Sequence, residues 1–261
     1  MSNSLWLPSH PRNHNSVLRL FCFPYAGGSS AIYRGWQQMM PDGIEVCPLH
    51  LPGRSVRIQE APISSLESLL RELAREMLPY LDRPFAFFGH SMGALISFEL
   101  ARRLRAVNGP APIQLLVSAW RSPDLIDHKR DYELPRAEFI EVLRRLNGTP
   151  EEILADAEAL ELLLPVLRAD FEVVQAYRYR EEQPLDCPIK AFVGAHDPGT
   201  TPEQMSGWKK HTTASFSLSI FAGDHFFIHE SKTQLITAVA NELNRALDLL
   251  TAKKEPAVYQ N

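Results

Sequence analysis

Three residue types, spaced far apart along the chain, could together make an alcohol reactive. Ser91 stands in Gly89-His90-Ser91-Met92-Gly93, Asp197 in Ala195-His196-Asp197-Pro198, and His225 in Gly223-Asp224-His225-Phe226-Phe227. A serine hydroxyl is a weak nucleophile, so it needs a base to take its proton and a third group to orient that base. His225 is read as the base and Asp197 as its orienter, in the chain order Ser, Asp, His. The oxygen of a tetrahedral intermediate needs two N–H donors, and losing one typically costs about 2.7–4 kcal/mol of barrier. The amide of Met92, directly after the serine, is one candidate donor. The amide of Ala26, in Pro24-Tyr25-Ala26-Gly27-Gly28-Ser29-Ser30, is the other, because adjacent glycines let backbone approach closely.

Rival assignments exist for each role. His196 adjoins Asp197 and would point elsewhere on its loop, while His90 reads as a packing residue of the serine turn. Asp224, beside His225, is a rival orienter; so are Asp124 and Asp127, which follow the strand before. His225 and His229 are four residues apart, a spacing that suits a metal, but H-E-x-x-H is absent and no metal is expected. Neither G-x-x-x-x-G-K-[ST] nor G-x-G-x-x-G occurs, so the glycine pair is not a phosphate cradle and no cofactor is expected.

Positioning these residues requires strands that end where the chemistry is. Apolar runs at 17–23, 44–49, 85–89, 113–119, 189–194 and 216–221 read as strands buried on both faces. Helical patterns lie between them, at 31–40, 64–81, 94–107 and 203–211, and a last one at 232–250. Such alternation predicts a mostly parallel sheet with helices on both faces. Ser91 then falls on a sharp strand-to-helix turn, and Asp197 and His225 on loops leaving the last two strands. Open α/β sheets place their sites at that edge.

The interval 121–182 contains no strand candidate, only amphipathic helical pattern. It holds 9 basic and 15 acidic residues, so its net charge of -6 sets it apart from the remainder at +2. It reads as a helical lid inserted into a core formed by 1–120 and 183–251, with 252–261 a polar, flexible tail.

The 261 residues fit one α/β domain with an insertion, and 45% apolar with 22% charged residues is ordinary globular composition. A net charge of -4 leaves no basic excess for a nucleic-acid footprint. Three cysteines without a C-x-x-C suit packed thiols in a reducing compartment. Residues 1–16 lack an apolar core of signal-peptide length, and no run approaches the ~20 apolar residues of a membrane span. A cytoplasmic monomer with no membrane or nucleic-acid partner is expected.

Four segments in order, Phe23-Pro24-Tyr25-Ala26-Gly27-Gly28, Leu51-Pro52-Gly53-Arg54, Gly89-His90-Ser91-Met92-Gly93-Ala94 and Gly223-Asp224-His225-Phe226-Phe227, resemble the type II thioesterases of polyketide synthases and nonribosomal peptide synthetases. The resemblance spans about residues 18–250. It implies an α/β-hydrolase fold with a helical lid, and hydrolysis of stalled or wrong acyl groups from the phosphopantetheine arm of acyl or peptidyl carrier proteins. Carried over by motif, Ser91 is the nucleophile, Asp197 the acid, His225 the base, and Ala26 and Met92 the oxyanion donors. Gly199-Thr200-Thr201 after Asp197-Pro198 departs from the family, where an apolar residue is expected, and puts the shape of that loop in doubt. Lid apolars such as Phe139 or Leu167 would line an acyl pocket. Lys209-Lys210-His211 and Arg54 with Arg57 are conceivable docking charges for an acidic carrier, against the weightier reading of solvated surface. The competing functions are a general serine esterase or medium-chain fatty acyl thioesterase, and a non-catalytic binding scaffold of the same fold.

Overall fold

The structure, a computed structural model, describes residues 4–7, 16–125 and 129–252. Six strands form one sheet: β1 (Leu18–Phe23), β2 (Ile44–Pro48), β3 (Phe85–His90), β4 (Gln114–Ser118), β5 (Ile189–Gly194) and β6 (Phe216–Phe221). Their order is β2-β1-β3-β4-β5-β6, and every neighbouring pair is parallel. The helices are α1 (Trp36–Met39), α2 (Leu66–Met77), α3 (Met92–Ala106), α4 (Arg136–Leu146), α5 (Glu151–Ala155), α6 (Ala157–Gln175), α7 (Pro202–Ser206), α8 (Phe227–Glu230) and α9 (Lys232–Ala252).

Side chains alternate across a strand, so each strand supplies two cores. Phe21, Phe87, Val117 and Val193 pack with Leu73 of α2 and Leu95 of α3 on one face. Leu20, Phe88, Leu116 and Phe192 pack with Trp36 of α1 and Leu235 and Val239 of α9 on the other. Burial on both faces is why β1, β3, β4 and β5 read as continuous apolar runs. β6 differs from that expectation, because it is the sheet edge: Ile220 is 56% exposed.

Two expected helices are broken. The pattern at 31–40 resolves into a 3-10 turn (Ser30–Tyr33) and the short α1, separated by Gly35 at φ +86°, a left-handed backbone that ends helical repetition. The pattern at 203–211 starts one residue early at Pro202, where Thr201 and Gln204 form a capping box, and tightens into a 3-10 turn over Gly207–His211.

Between β4 and β5 the described chain has helices α4, α5 and α6 and no strand. Phe139, Leu143, Leu154, Leu160, Leu164 and Leu167 form a separate apolar cluster there. α6 contains Pro165, and beyond it Val173 joins the core beneath the sheet helices.

Candidate active site

The sharp turn at Ser91 is built by sterics. Ser91 has φ +53°, a conformation a non-glycine residue adopts only under constraint, and α3 begins at the next residue. A Cβ on Gly89 would collide with the carbonyl of Gly93, and one on Gly93 with the carbonyl of Phe23 at the end of β1. Only hydrogen fits at both positions, which lets strand, turn and helix close on one another. The first amides of α3 have no partner within the helix, and its positive dipole end points to the serine.

His225 and Asp197 converge on Ser91 from the ends of β6 and β5. The His225 Nε2 atom lies 3.0 Å from Ser91 Oγ, and its Nδ1 lies 2.8 Å from Asp197 Oδ2. The Asp197 side chain is 0% exposed and His225 24%, so the carboxylate is sheltered while the imidazole borders solvent. The other carboxylate oxygen of Asp197 accepts the N–H groups of Gly199, at 2.8 Å, and Thr200, at 3.1 Å. The Gly199-Thr200 departure therefore leaves a loop that grips the carboxylate with its own backbone.

The rivals are occupied elsewhere. His196 is exposed on the surface. The Asp224 carboxylate accepts the Phe226 N–H at 2.7 Å and closes the turn that presents His225. Asp124 is bound by Ser122, Lys210 and His211. Burial opposes its ionisation, yet the hydrogen bonds from Lys210, Ser122 and His211 hold its carboxyl at about 2. Asp127 lies outside the described residues, as do residues 8–15 and 253–261. His229 Nε2 meets the Tyr25 hydroxyl at 2.9 Å. Among the described residues no cluster of three or more His, Cys, Asp and Glu side chains is arranged for a metal ion.

His90 does more than pack. It is fully buried, with Nε2 2.9 Å from the His225 carbonyl and Nδ1 2.9 Å from Ser118 Oγ. Burial, reinforced by the nearby His225 ring, holds its pKa well below the usual histidine value, so it is neutral. A carbonyl only accepts, so Nε2 carries the proton and Nδ1 accepts from the Ser118 hydroxyl. Ser118 also accepts the Ser91 N–H through its carbonyl at 2.8 Å. His90 and Ser118 thus tie the serine turn to the loop that carries His225. The position of His90 beside the serine was visible in the sequence; its partners, on two other elements, were not.

A cavity of about 230 Å3 opens on Ser91 and His225. Ala26 lines it from the loop after β1, while Leu143, Leu146, Leu167 and Phe171 line it from the inserted helices. Leu167 is where the pocket expectation put it. Phe139 is not: it is fully buried in the cluster between α4 and α6, against the Phe171 ring.

Of the charges considered for docking, Lys209 and Lys210 are exposed, as the solvated-surface reading expects, whereas Arg54, Arg57 and His211 are buried. Arg54 is buried and forms a two-pronged ion pair with Asp170 of α6, at 2.7 and 2.8 Å. Arg57 is buried against Glu60 and lies 4.2 Å over the Trp6 ring. His211 is buried, and Lys210 is paired with Asp124.

Comparison with known proteins gives a consistent answer. The thioesterase domain family matches residues 18–247. A Brevibacillus parabrevis protein named linear gramicidin dehydrogenase LgrE is 47% identical over 95% of this chain and 95% of its own. The gramicidin S biosynthesis protein GrsT of Aneurinibacillus migulanus is 44% identical over 93% of this chain and 95% of its own. Among solved structures, RedJ, the thioesterase from the prodiginine biosynthetic pathway of Streptomyces coelicolor, superposes with a TM-score of 0.82 at 39% identity, covering 87% of this chain and 86% of that one. A dehydrogenase name fits poorly with a chain that lacks G-x-G-x-x-G and presents a serine, a histidine and an aspartate in hydrogen-bonded sequence. From its α/β-hydrolase sheet and its match over most of its length, the chain belongs to the thioesterase family, with the type II thioesterases of nonribosomal peptide and polyketide synthesis as its relatives.

Proposed function

We propose that this thioesterase works through an acyl-Ser91 intermediate. The observation that carries the reading is the continuous hydrogen-bond chain from Ser91 Oγ through His225 to Asp197, at 3.0 and 2.8 Å. His225 Nε2 takes the Ser91 proton as Oγ attacks the thioester carbonyl carbon. The oxygen, now negative, rests on the amides of Ala26 and Met92. Collapse breaks the carbon–sulfur bond, and the leaving sulfur takes the proton from His225 and departs as the thiol, whose pKa is about 8.5, leaving His225 neutral. Water then gives a proton to His225 and attacks the acyl-serine; a second collapse returns the proton to Ser91 Oγ and frees the acid. Asp197 accepts from Nδ1 throughout and stabilises the imidazolium.

The substrate in this reading is an acyl group on the phosphopantetheine arm of an acyl or peptidyl carrier protein, and the task is removal of stalled or wrong groups. Kinship with GrsT and RedJ, and an apolar cavity entered beside Ser91, support it. Residues 1–120 and 183–251 serve as the hydrolase core and 121–182 as a lid over the cavity. The enzyme acts as a cytoplasmic monomer without a cofactor. Three buried cysteines outside any disulfide support a reducing compartment, and among the described residues no helix is long and apolar enough to cross a membrane.

The test is a hydrolysis panel of acetyl, propionyl, aminoacyl and long-chain groups on a carrier protein, beside simple esters and Ser91→Ala. The expected result is preference for carrier thioesters and loss of turnover in the variant. Equal rates on simple esters would instead favour a general esterase. Turnover surviving Ser91→Ala would show that the nucleophile is misassigned. Failure of a serine-directed probe to label Ser91 would favour a binding scaffold.

A further inference from the structure

The loop bearing Ala26 is held by a residue of the inserted helices, 143 positions further along the chain. Tyr25-Ala26-Gly27-Gly28 is a tight turn, closed by the Gly28 N–H donating to the Tyr25 carbonyl at 2.9 Å. Gly27 takes φ +75°, the value of the third residue of a type II turn. That geometry points the Gly27 N–H outward, where Asp170 Oδ2 on α6 accepts it at 2.7 Å. Arg54 approaches from the loop after β2. It grips both Asp170 oxygens and donates through Nη1 to the Gly28 carbonyl at 3.1 Å. The turn is thus clamped on two successive residues by a buried ion pair whose side chains are 8% and 4% exposed. α6 also packs on the turn's apolar side, where a Cβ at Gly27 would stand 2.6 Å from Leu167 Cδ2.

We propose that Asp170 is a positioning residue for the reaction: held by Arg54, it fixes the turn at Gly27 and so places the Ala26 amide over Ser91. This rests on the assignment of Ala26 as an oxyanion donor. The Gly28–Tyr25 hydrogen bond closes the turn only upon itself; Asp170 and Arg54 fasten it to two other elements. A central peptide flipped in this turn would lose the Gly27 N–H hydrogen bond and set the Ala26 carbonyl oxygen against the acceptor oxygen of residue 170, so the acceptor disfavours the flipped form. The carboxylate does not contact substrate. Its effect reaches the chemistry through a donor that must be in place before charge develops.

Two double variants separate this role from simple anchoring. Arg54→Met with Asp170→Leu replaces the pair with apolar side chains of similar size, a change buried pairs often tolerate. It leaves the Gly27 N–H without an acceptor. Arg54→Gln with Asp170→Asn also removes both charges but keeps an amide oxygen for Gly27. With propionyl-N-acetylcysteamine as substrate, the Met/Leu variant should lose about 10–100-fold in kcat with KM changed less than about threefold. Its affinity for an alkyl boronic acid, which forms a tetrahedral adduct on the serine, should fall by the same factor. The Gln/Asn variant should stay within about fivefold of the parent kcat, since the acceptor is retained. A folded Met/Leu variant with parental kcat overturns the proposal, and so does a folded Gln/Asn variant that loses about tenfold or more, whether or not the Met/Leu protein folds. Turnover by Ser91→Ala would instead overturn the underlying mechanism, a distinct result.

Discussion

Among the described residues, two clusters join serine, histidine and aspartate, and of these two one has the geometry of a proton relay. In the first, the two ring nitrogens of His225 face different partners: Nε2 meets Ser91, and Nδ1 meets Asp197. In the second, His211 Nε2 faces both Ser122, at 3.0 Å, and Asp124, at 3.2 Å. Ser122 also hydrogen-bonds to Asp124 directly, so its proton is committed to the carboxylate. Ser122 is 1% exposed, whereas Ser91 lines the cavity. Residue types alone are therefore not the function. A relay needs the acid and the nucleophile on opposite nitrogens of one ring, with the nucleophile open to substrate. The second cluster instead joins the chain after β4 to the segment before β6.

Substitution should separate the clusters sharply. Ser91→Ala is expected to reduce kcat on an acyl thioester by on the order of 10⁶-fold, in line with removal of other activated serines. Ser122→Ala should leave kcat within about threefold, because what it loses is a buried hydrogen bond worth roughly 1–3 kcal/mol of stability. Comparable kinetic losses in both variants would break the contrast.

The acids give a smaller version of the same test. Asp197→Asn should cost about 10⁴-fold in kcat, since the amide favours the wrong imidazole tautomer. Asp124→Asn should instead lower the melting temperature and spare the rate, as read by calorimetry alongside kinetics.

Backbone closeness offers a third comparison. Gly93→Ala places a methyl group against the Phe23 carbonyl and is expected to cost about 3 kcal/mol or more in denaturant unfolding. Gly199→Ala has only the Asp197 carboxylate at 3.5 Å, an ordinary contact, and should fold normally.

Acidification gives the smallest effect. Burial depresses the pKa of His90 and, against the hydrogen bond to Asp124, that of His211. Each is neutral in the folded protein and binds a proton more readily when unfolded. Stability is thus full above the unfolded value of about 6.5 and falls as pH drops below it. His90 alone should account for a loss of about 1 kcal/mol between pH 7.5 and 5.5. Urea unfolding at the two pH values checks this, and in His90→Gln the pH dependence should shrink.

The strand ends and the serine turn were legible because their signals are local. An apolar run, two glycines around a serine, and a helix behind them fix one another within about twenty residues. Asp197 and His225 could be placed because each follows a strand directly. The partners of Arg54 could not be read, because Asp170 is 116 residues away and both look like surface charges in a row of letters. The roles of His90 and Ser118 were hidden for the same reason: each depends on what the other element presents. The exposed side of β6 was missed because a sheet edge and a sheet centre can share one apolar pattern.

By itself the sequence determined the alternation of strand and helix, the tight turn at Ser91, and the set of side chains able to carry the chemistry. Those follow from short-range sterics and periodicity, which neighbouring residues impose on one another. Only the tertiary structure decided which histidine faces which serine and acid, and that Arg54 is buried against Asp170. Hydrogen-bond partnership depends on distance and direction in space, and the folded sheet brings together atoms that the chain keeps far apart.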